Sequence, residues 1–207
     1  ELGGHAPVIV CADADPVVAA KRSAFGKFVN AGQVCTSPSR FLVHDSLFDT
    51  YVDTFVAQAR ALKVGDGLDD GVTMGPMANP RRLAAMERLV ADAVTRGARI
   101  LTGGKRMGNQ GWFFEPTVLV DVPLDAELMQ VEPFGPIAPI RRFTDLDAAL
   151  GEANATPYGL AAYGFTCDAA TAERLALGLD AGILSINHTG GSVHEAPSGG
   201  VKESGYG

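Results

Sequence analysis

Residues 6–44 read APVIVCADADPVVAAKRSAFGKFVNAGQVCTSPSRFLVH, and the order of patterns within them decides the fold. APVIVC (6–11) is a short apolar run with β-branched residues, the mark of a buried strand. After Asp13 and Asp15, Pro16 suits the first turn of a helix, where a missing N–H breaks no bond. The spacing predicts that helix from 17 to about 29, with Val18, Ala19, Phe25 and Phe28 on its buried face. A turn containing Gly32 and Cys35 follows, and SRFLVH (39–44) reads as a second strand. Strand, long helix and strand in that order form a unit whose two strands lie parallel.

The alternation continues outward from this unit. Leu47, Phe48, Tyr51, Val52, Phe55, Val56 and Leu62 recur at helical spacing from 45 or 46 to 63. GDGLDDG (65–71) is a loop; it lacks the alternating ligands and closing Glu of a calcium loop. A further helix is predicted from about 80 to 96, with Gly97 at its C-cap. ARILTGG (98–104), WFFEPTVLVDV (112–122) and GPIAPIRRF (135–143) read as strands, the last broken by prolines. A short helix over 145–154, a strand LAAYGFT (160–166) and a helix over 169–179 come next. GILSIN (182–187) reads as a buried strand and SGGVKESGYG (198–207) as loop. The expectation is one α/β domain: an open, mainly parallel twisted sheet with helices on both faces.

The 207 residues, 46% of them hydrophobic and 20% charged, are enough for a substantial core. A net charge of −7 argues against a nucleic-acid surface, which needs clustered Lys and Arg. The pairs Arg81-Arg82 and Arg141-Arg142 read as solvated faces. No apolar run approaches the ~18 residues of a membrane span, and ELGGHAPVIVCAD (1–13) has no basic leader of a signal peptide. Cys11, Cys35 and Cys167 are an odd, widely spaced set, which fits a reducing, cytoplasmic setting better than a disulfide framework or a zinc site. His5, His44, His188 and His194 show no metal-ligand spacing, so no metal is expected.

Three places can carry chemistry. Cys35 sits among small polar residues in FVNAGQVCTSPSR (28–40), whereas a structural cysteine usually hides among aliphatic neighbours. It is either a nucleophile, needing a helix terminus, a cation or a base to activate it, or a buried turn residue. Glu1, followed by Leu2, Gly3 and Gly4 at the mouth of a strand, is either a general base or a solvated carboxylate. Glu132, in the stiff EPFGP (132–136), is either a fixed acceptor for ribose hydroxyls or part of a strand-capping loop, and Phe134 beside it can pack on a flat ring.

Taken together, these segments resemble the aldehyde dehydrogenase superfamily. The resemblance covers nearly the whole chain in order: ELGGHAPVIV, FVNAGQVCTSPSR, MGPM, EPFGPI, NATPYGLAAY, GILSIN and SGGVKESGYG. The separations of Glu1, Cys35 and Glu132 also suit the family. The resemblance implies that Cys35 adds to an aldehyde carbon to give a thiohemiacetal, which becomes a thioester as hydride passes to NAD or NADP. Glu1 would then activate water to release a carboxylic acid, and the Cys35 N–H would help bind the oxyanion. Glu132 would hold the nicotinamide ribose, Phe134 would confine the ring, and Leu2 and Gly3 would lie against the cofactor. Ser192 is a candidate substrate contact.

Two positions depart from the family pattern: His5, where Lys is usual, and Ser198, where Phe is usual. Members acting on succinate semialdehyde often carry an Arg at the place of Val29, so a less polar aldehyde is equally expected despite a tail like theirs. The resemblance also implies that residues 1–207 are a catalytic domain, without the dinucleotide-binding domain and the final oligomerisation strand. The parent enzyme would then be a homo-oligomer acting on a small aldehyde, and the isolated piece would be poorly active. Two other readings stand beside this one: a cysteine-dependent esterase that uses no nicotinamide, and a non-catalytic structural fragment.

Overall fold

The computed structural model describes residues 1–190 and 195–206. Seven strands, β1 (Ala6–Val10), β2 (Pro38–His44), β3 (Arg99–Thr102), β4 (Thr117–Val120), β5 (Ile137–Phe143), β6 (Ala161–Phe165) and β7 (Ile183–Ile186), form one sheet in the order β3-β4-β5-β2-β1-β6-β7. All pairings are parallel except β3 with β4, which places a single antiparallel strand at one edge. Six helices connect them: α1 (Pro16–Phe28), α2 (Phe48–Ala61), α3 (Pro80–Thr95), α4 (Glu127–Gln130), α5 (Leu146–Asn154) and α6 (Ala169–Gly178).

The helices begin where short polar side chains satisfy free backbone N–H groups. Asp15 accepts from Val17 and Val18 at 2.8 and 3.0 Å, and Asn79, Asp145 and Asp168 cap α3, α5 and α6 in the same way. Pro16 and Pro80 occupy the first turns of their helices. Alternation along the central strands then divides the core in two. Val8, Val10, Phe41, Val43, Tyr163 and Phe165 face the layer of α1, α2 and α3. Ile9, Leu42 and Ala162 face α5 and α6 on the other side.

Four expectations need correction. On α1 the buried face is Ala19, Ala20, Ser23, Ala24, Lys27 and Phe28, while Val18 and Phe25 are 42% and 74% exposed. Val18 and Phe25 lie two turns apart on the side away from the sheet, and small residues on the inner side let α1 lie close to it. The strand over GPIAPIRRF is unbroken as β5, because pairing to β2 begins at Ile140, just past Pro139. GILSIN is a half-buried edge strand, and the tail holds a short 3₁₀ turn, Lys202–Ser204. The helix α4 was not expected.

Candidate active site

The segments that carry the candidate residues meet at the amino ends of the strands. Residues 1–5 lead into β1, the Cys35 loop into β2, EPFGP into β5 and residues 156–160 into β6. Open parallel sheets more often bind ligands at the carboxyl ends, so the site is made by the entry loops of this sheet.

The Cys35 loop is held in an unusual backbone path. Past the end of α1, Asn30, Ala31 and Gly32 have φ of 50°, 54° and 70°, a run in the left-handed region that side chains disfavour. Gln33 stabilises it: the side chain donates to the carbonyls of Asn30 (3.0 Å) and Pro76 (3.2 Å) and accepts from Ala78 N–H (2.7 Å). Thus MGPM (74–77) is the strap under the loop. A Cβ on Gly32 would run into the Gly135 carbonyl, so the Cys35 loop and EPFGP pack backbone to backbone. Ser37 N–H then donates to the Val34 carbonyl at 2.9 Å, closing a turn around Cys35. Tyr163 on β6 donates from its hydroxyl to the Thr36 carbonyl at 2.6 Å and fixes that turn from the side.

Glu1 and Cys35 come together: the Cys35 thiol donates to Glu1 Oε1 at 2.9 Å. The tail positions Glu1, because Ser204 accepts the Leu2 N–H on its carbonyl (2.9 Å) and donates from its hydroxyl to the Gly3 carbonyl (2.7 Å). The same hydroxyl accepts the Gly159 N–H at 3.0 Å. Partial burial pushes the Cys35 thiol up from its ordinary value, and so do the hydrogen bond to Glu1 and its charge; the N–H groups of Thr36 and Cys35 pull it down. The sulfur therefore holds its proton at neutral pH, beside a carboxylate placed to take it. Cys11 and Cys167 lack such a partner among the described residues; Cys11 is buried and pushed up to about 11, chiefly by burial, and Cys167 is exposed.

Glu132 sits on the other side of the Gly3-Gly4 backbone. Gly4 N–H donates to its Oε1 at 3.0 Å, and a Cβ on Gly3 would stand 2.7 Å from its Oε2. Burial raises the Glu132 carboxyl, while the Gly4 N–H, Arg82 and Lys27 act against that rise. Phe134 is held at φ 43°, an outlier for a bulky residue that the surroundings must enforce. Arg82 does part of this. It donates to the Pro133 carbonyl, and its guanidinium lies 6.0 Å from the centre of the Phe134 ring. Arg82 is thus no solvated surface charge, contrary to its reading as half of a basic pair; Arg141 likewise pairs with Glu152 at 2.8 Å in a half-buried bridge.

Of the predicted site residues, Glu1 with Cys35 and Glu132 with Gly3 form two adjoining clusters, and Phe134 walls the second. Leu2 is 65% exposed. Ser192 lies outside the described residues. His5 is buried, with Nδ1 2.8 Å from the Ser39 hydroxyl and its carbonyl gripped by buried Arg40, so the family's usual Lys is replaced by a packed ring. Ser198 is exposed. Sequence reasoning missed Gln33, Arg82, Tyr163 and Ser204. Gln33, Tyr163 and Ser204 lay inside stretches already singled out but with no role given to them; Arg82 was read only as half of a basic pair.

The donor set suits a nicotinamide dinucleotide. A carboxylate with one oxygen fixed by Gly4 and the other free can accept from a vicinal diol, and the glycines leave room for close approach. Among the described residues, no helix is long and apolar enough to cross a membrane.

Comparison with known proteins bears on the fold and the family. The aldehyde dehydrogenase family model matches residues 1–207. The chain is 48% identical over 207 residues to 4-(hydroxymethyl)benzenesulfonate dehydrogenase TsaD1 of Comamonas testosteroni, covering 100% of this chain and 43% of that one. It is 43% identical over the same length to the succinate-semialdehyde dehydrogenase [NADP(+)] GabD of Escherichia coli strain K12, again 100% of this chain and 43% of the other. A solved structure of 3,6-anhydro-L-galactose dehydrogenase in complex with NAP superposes with a TM-score of 0.96 at 41% identity, over 100% of this chain and 44% of that one. The chain thus spans less than half the length of these relatives. With all 207 residues inside the family model, and relatives above 40% identity along its whole length, the chain belongs to the aldehyde dehydrogenase family.

Proposed function

We propose that residues 1–207 are the catalytic domain of a dehydrogenase that oxidises an aldehyde to a carboxylic acid with NAD or NADP. The observation that carries this reading is the 2.9 Å contact between the Cys35 thiol and Glu1 Oε1, with the Glu132–Gly4 pair beside it. Glu1 takes the thiol proton as Cys35 Sγ bonds to the aldehyde carbon, giving a thiohemiacetal. The Cys35 N–H would help bind the oxyanion. When bound, an oxidised nicotinamide would supply the hydride acceptor that this adduct needs to become a thioester on Cys35. Glu1, exposed enough to pass the thiol proton to solvent, then removes one from water as the oxygen attacks the thioester; the acid leaves and Glu1 returns the proton to the departing sulfur, re-forming the thiol. Glu132 would hold the ribose diol, Phe134 would limit the ring, and Leu2 and Gly3 would border the nicotinamide.

Relatives named for NADP+ favour that dinucleotide. Val29 supports an aldehyde without a distal carboxylate clamped at that position, because an aliphatic side chain offers no hydrogen-bond donor or charge to one. Ser192 is retained as a candidate substrate contact. The parent is proposed to be a homo-oligomer, with its dinucleotide-binding domain and oligomerisation strand outside these residues. The 207-residue chain alone is then expected to bind dinucleotide weakly and to oxidise aldehydes poorly, and robust turnover by it would contradict this division of labour.

The test is Glu1→Gln in the dehydrogenase that carries this chain. Removing the base is expected to slow thioester hydrolysis by roughly 10²–10⁴-fold, so that intact mass spectrometry shows an acyl group accumulating on the Cys35 peptide. Turnover at the unaltered rate would remove Glu1 from the mechanism.

A further inference from the structure

Lys27 is a charge in a place that does not favour one. It sits in the last turn of α1, fully buried, and its Nζ finds no hydrogen-bond partner among the described residues. A buried ammonium without partners is strongly disfavoured, and a hydrocarbon side chain of similar size would pack there at least as well. Burial holds Lys27 at about 7, with Glu132 acting in the other direction. Its surroundings show where its field falls. Lys27 lines one small void together with Glu132, Phe134, Gly4, Gly32, Ser37 and Ser39. Glu132, from the loop before β5, is the carboxylate facing it, and His5, at the entry to β1, is the other titratable group it acts on. Arg40 on β2 bears on His5, and Arg82 on α3 bears on Glu132. The charge that bears on Cys35 is that of Glu1.

We propose that Lys27 is a positioning residue for Glu132: an ammonium sealed behind the Cys35 loop that keeps this carboxylate ionised and turned toward the Gly3-Gly4 backbone. Arg82, on α3 and only partly buried, acts on the same carboxylate, so Glu132 feels the charge of two cations. The functional consequence rests on the reading above in which Glu132 receives the cofactor ribose. A protonated Glu132 accepts from a diol poorly, so Lys27 extends cofactor binding to lower pH. It acts through Glu132 and touches no reacting atom.

The test reads Glu132 directly on the 207-residue chain, by carbon-13 NMR of the glutamate carboxyl groups, with Glu132→Gln to assign the signal. In Lys27→Met the Glu132 midpoint is expected to rise by about one pH unit, and an unchanged midpoint would overturn the proposal. Should Lys27→Met fail to fold, the reciprocal measurement replaces it. The Lys27 ammonium, followed by nitrogen-15 NMR, is expected to titrate lower in Glu132→Gln, and no change there would overturn the proposal equally. In the dehydrogenase carrying the chain, Lys27→Met is expected to raise cofactor KM several-fold near pH 5 while kcat at saturating cofactor changes little. A shifted Glu132 midpoint with an unchanged KM would support the link between Lys27 and Glu132 and count against the ribose role of Glu132.

Discussion

At Cys35 the structure favours a protonated thiol with its base in contact over a resting thiolate. A partly buried sulfur beside a carboxylate loses its proton reluctantly, and in the proposed mechanism that same carboxylate is the acceptor when the sulfur attacks. On the far side of the Gly3-Gly4 backbone, close approach rather than charge sets the requirement. A Cβ on Gly3 would stand 2.7 Å from Glu132 Oε2. Gly3→Ala is therefore expected to push the carboxylate aside and weaken dinucleotide binding with little effect on Cys35 alkylation, as read by cofactor titration and thiol labelling in parallel. Cys35, Glu1 and Glu132 were legible in the sequence because the residue types announce their chemistry and their order matched a family. Tyr163 and Ser204 were not, since a hydroxyl bonded to a carbonyl 127 or 201 positions away leaves no local pattern. Arg82 hid for a related reason: beside Arg81 on a helix it reads as surface, and only the fold brings EPFGP over it.

At the level of elements, the entry loops carry the site and the helices and strands hold those loops at fixed spacing. The Cys35 loop runs left-handed for three residues and meets EPFGP at Gly32, so the two loops move as one body. Gly32→Ala combines a disfavoured φ of 70° with a clash against Gly135, and thermal unfolding is expected to show a loss of more than about 1 kcal/mol. Stability equal to that of the parent would mean the loop relaxes freely. The run of strands and helices was readable from periodicity, and so were Pro16 in a first turn and Gly97 at a C-cap, whereas the caps Asn79 and Asp168 were seen only in the structure. The buried face of α1 was misread. Periodicity identifies a stripe but not which side meets the sheet, and here the inner side is made of alanines, Ser23 and a lysine. The short α4 has a single turn and too few residues to show a period.

For the whole molecule, the two-sided core is continuous from β4 to β6, and the charges locked inside it make stability depend on pH. Lys27 sits at about 7 in the folded chain against roughly 10.4 when unfolded. Between those values the unfolded state binds the extra proton, so unfolding free energy rises as pH rises from about 7. His5, lowered by burial and by Arg40 and Lys27, adds the same sign at lower pH. Cys11, raised to about 11, opposes the trend only as pH passes the free-thiol range near ~8.5. Denaturant titrations are therefore expected to show stability increasing from pH 7 to 8 by about 1 kcal/mol, and Lys27→Met should flatten that rise. A profile that is flat in the parent would place Lys27 in water rather than in the core. Val18, Phe25 and Val29 expose an apolar strip on the outer side of α1, so the 207-residue chain is expected to self-associate in sedimentation at high concentration.

The pairing of Cys35 with Glu1 is the centre of the account, and alkylation of the three thiols across pH, read peptide by peptide in the parent and in Glu1→Gln, tests it most directly. Cys11 and Cys167 serve as internal controls, one buried and one exposed. Removing the Glu1 charge takes away one influence that holds the Cys35 proton in place and weakens the hydrogen bond that is the other, so the Cys35 profile is expected to move to lower pH while the other two stay where they are. A Cys35 profile that does not move would contradict the account, because the carboxylate would then have no hold on the sulfur it is meant to deprotonate.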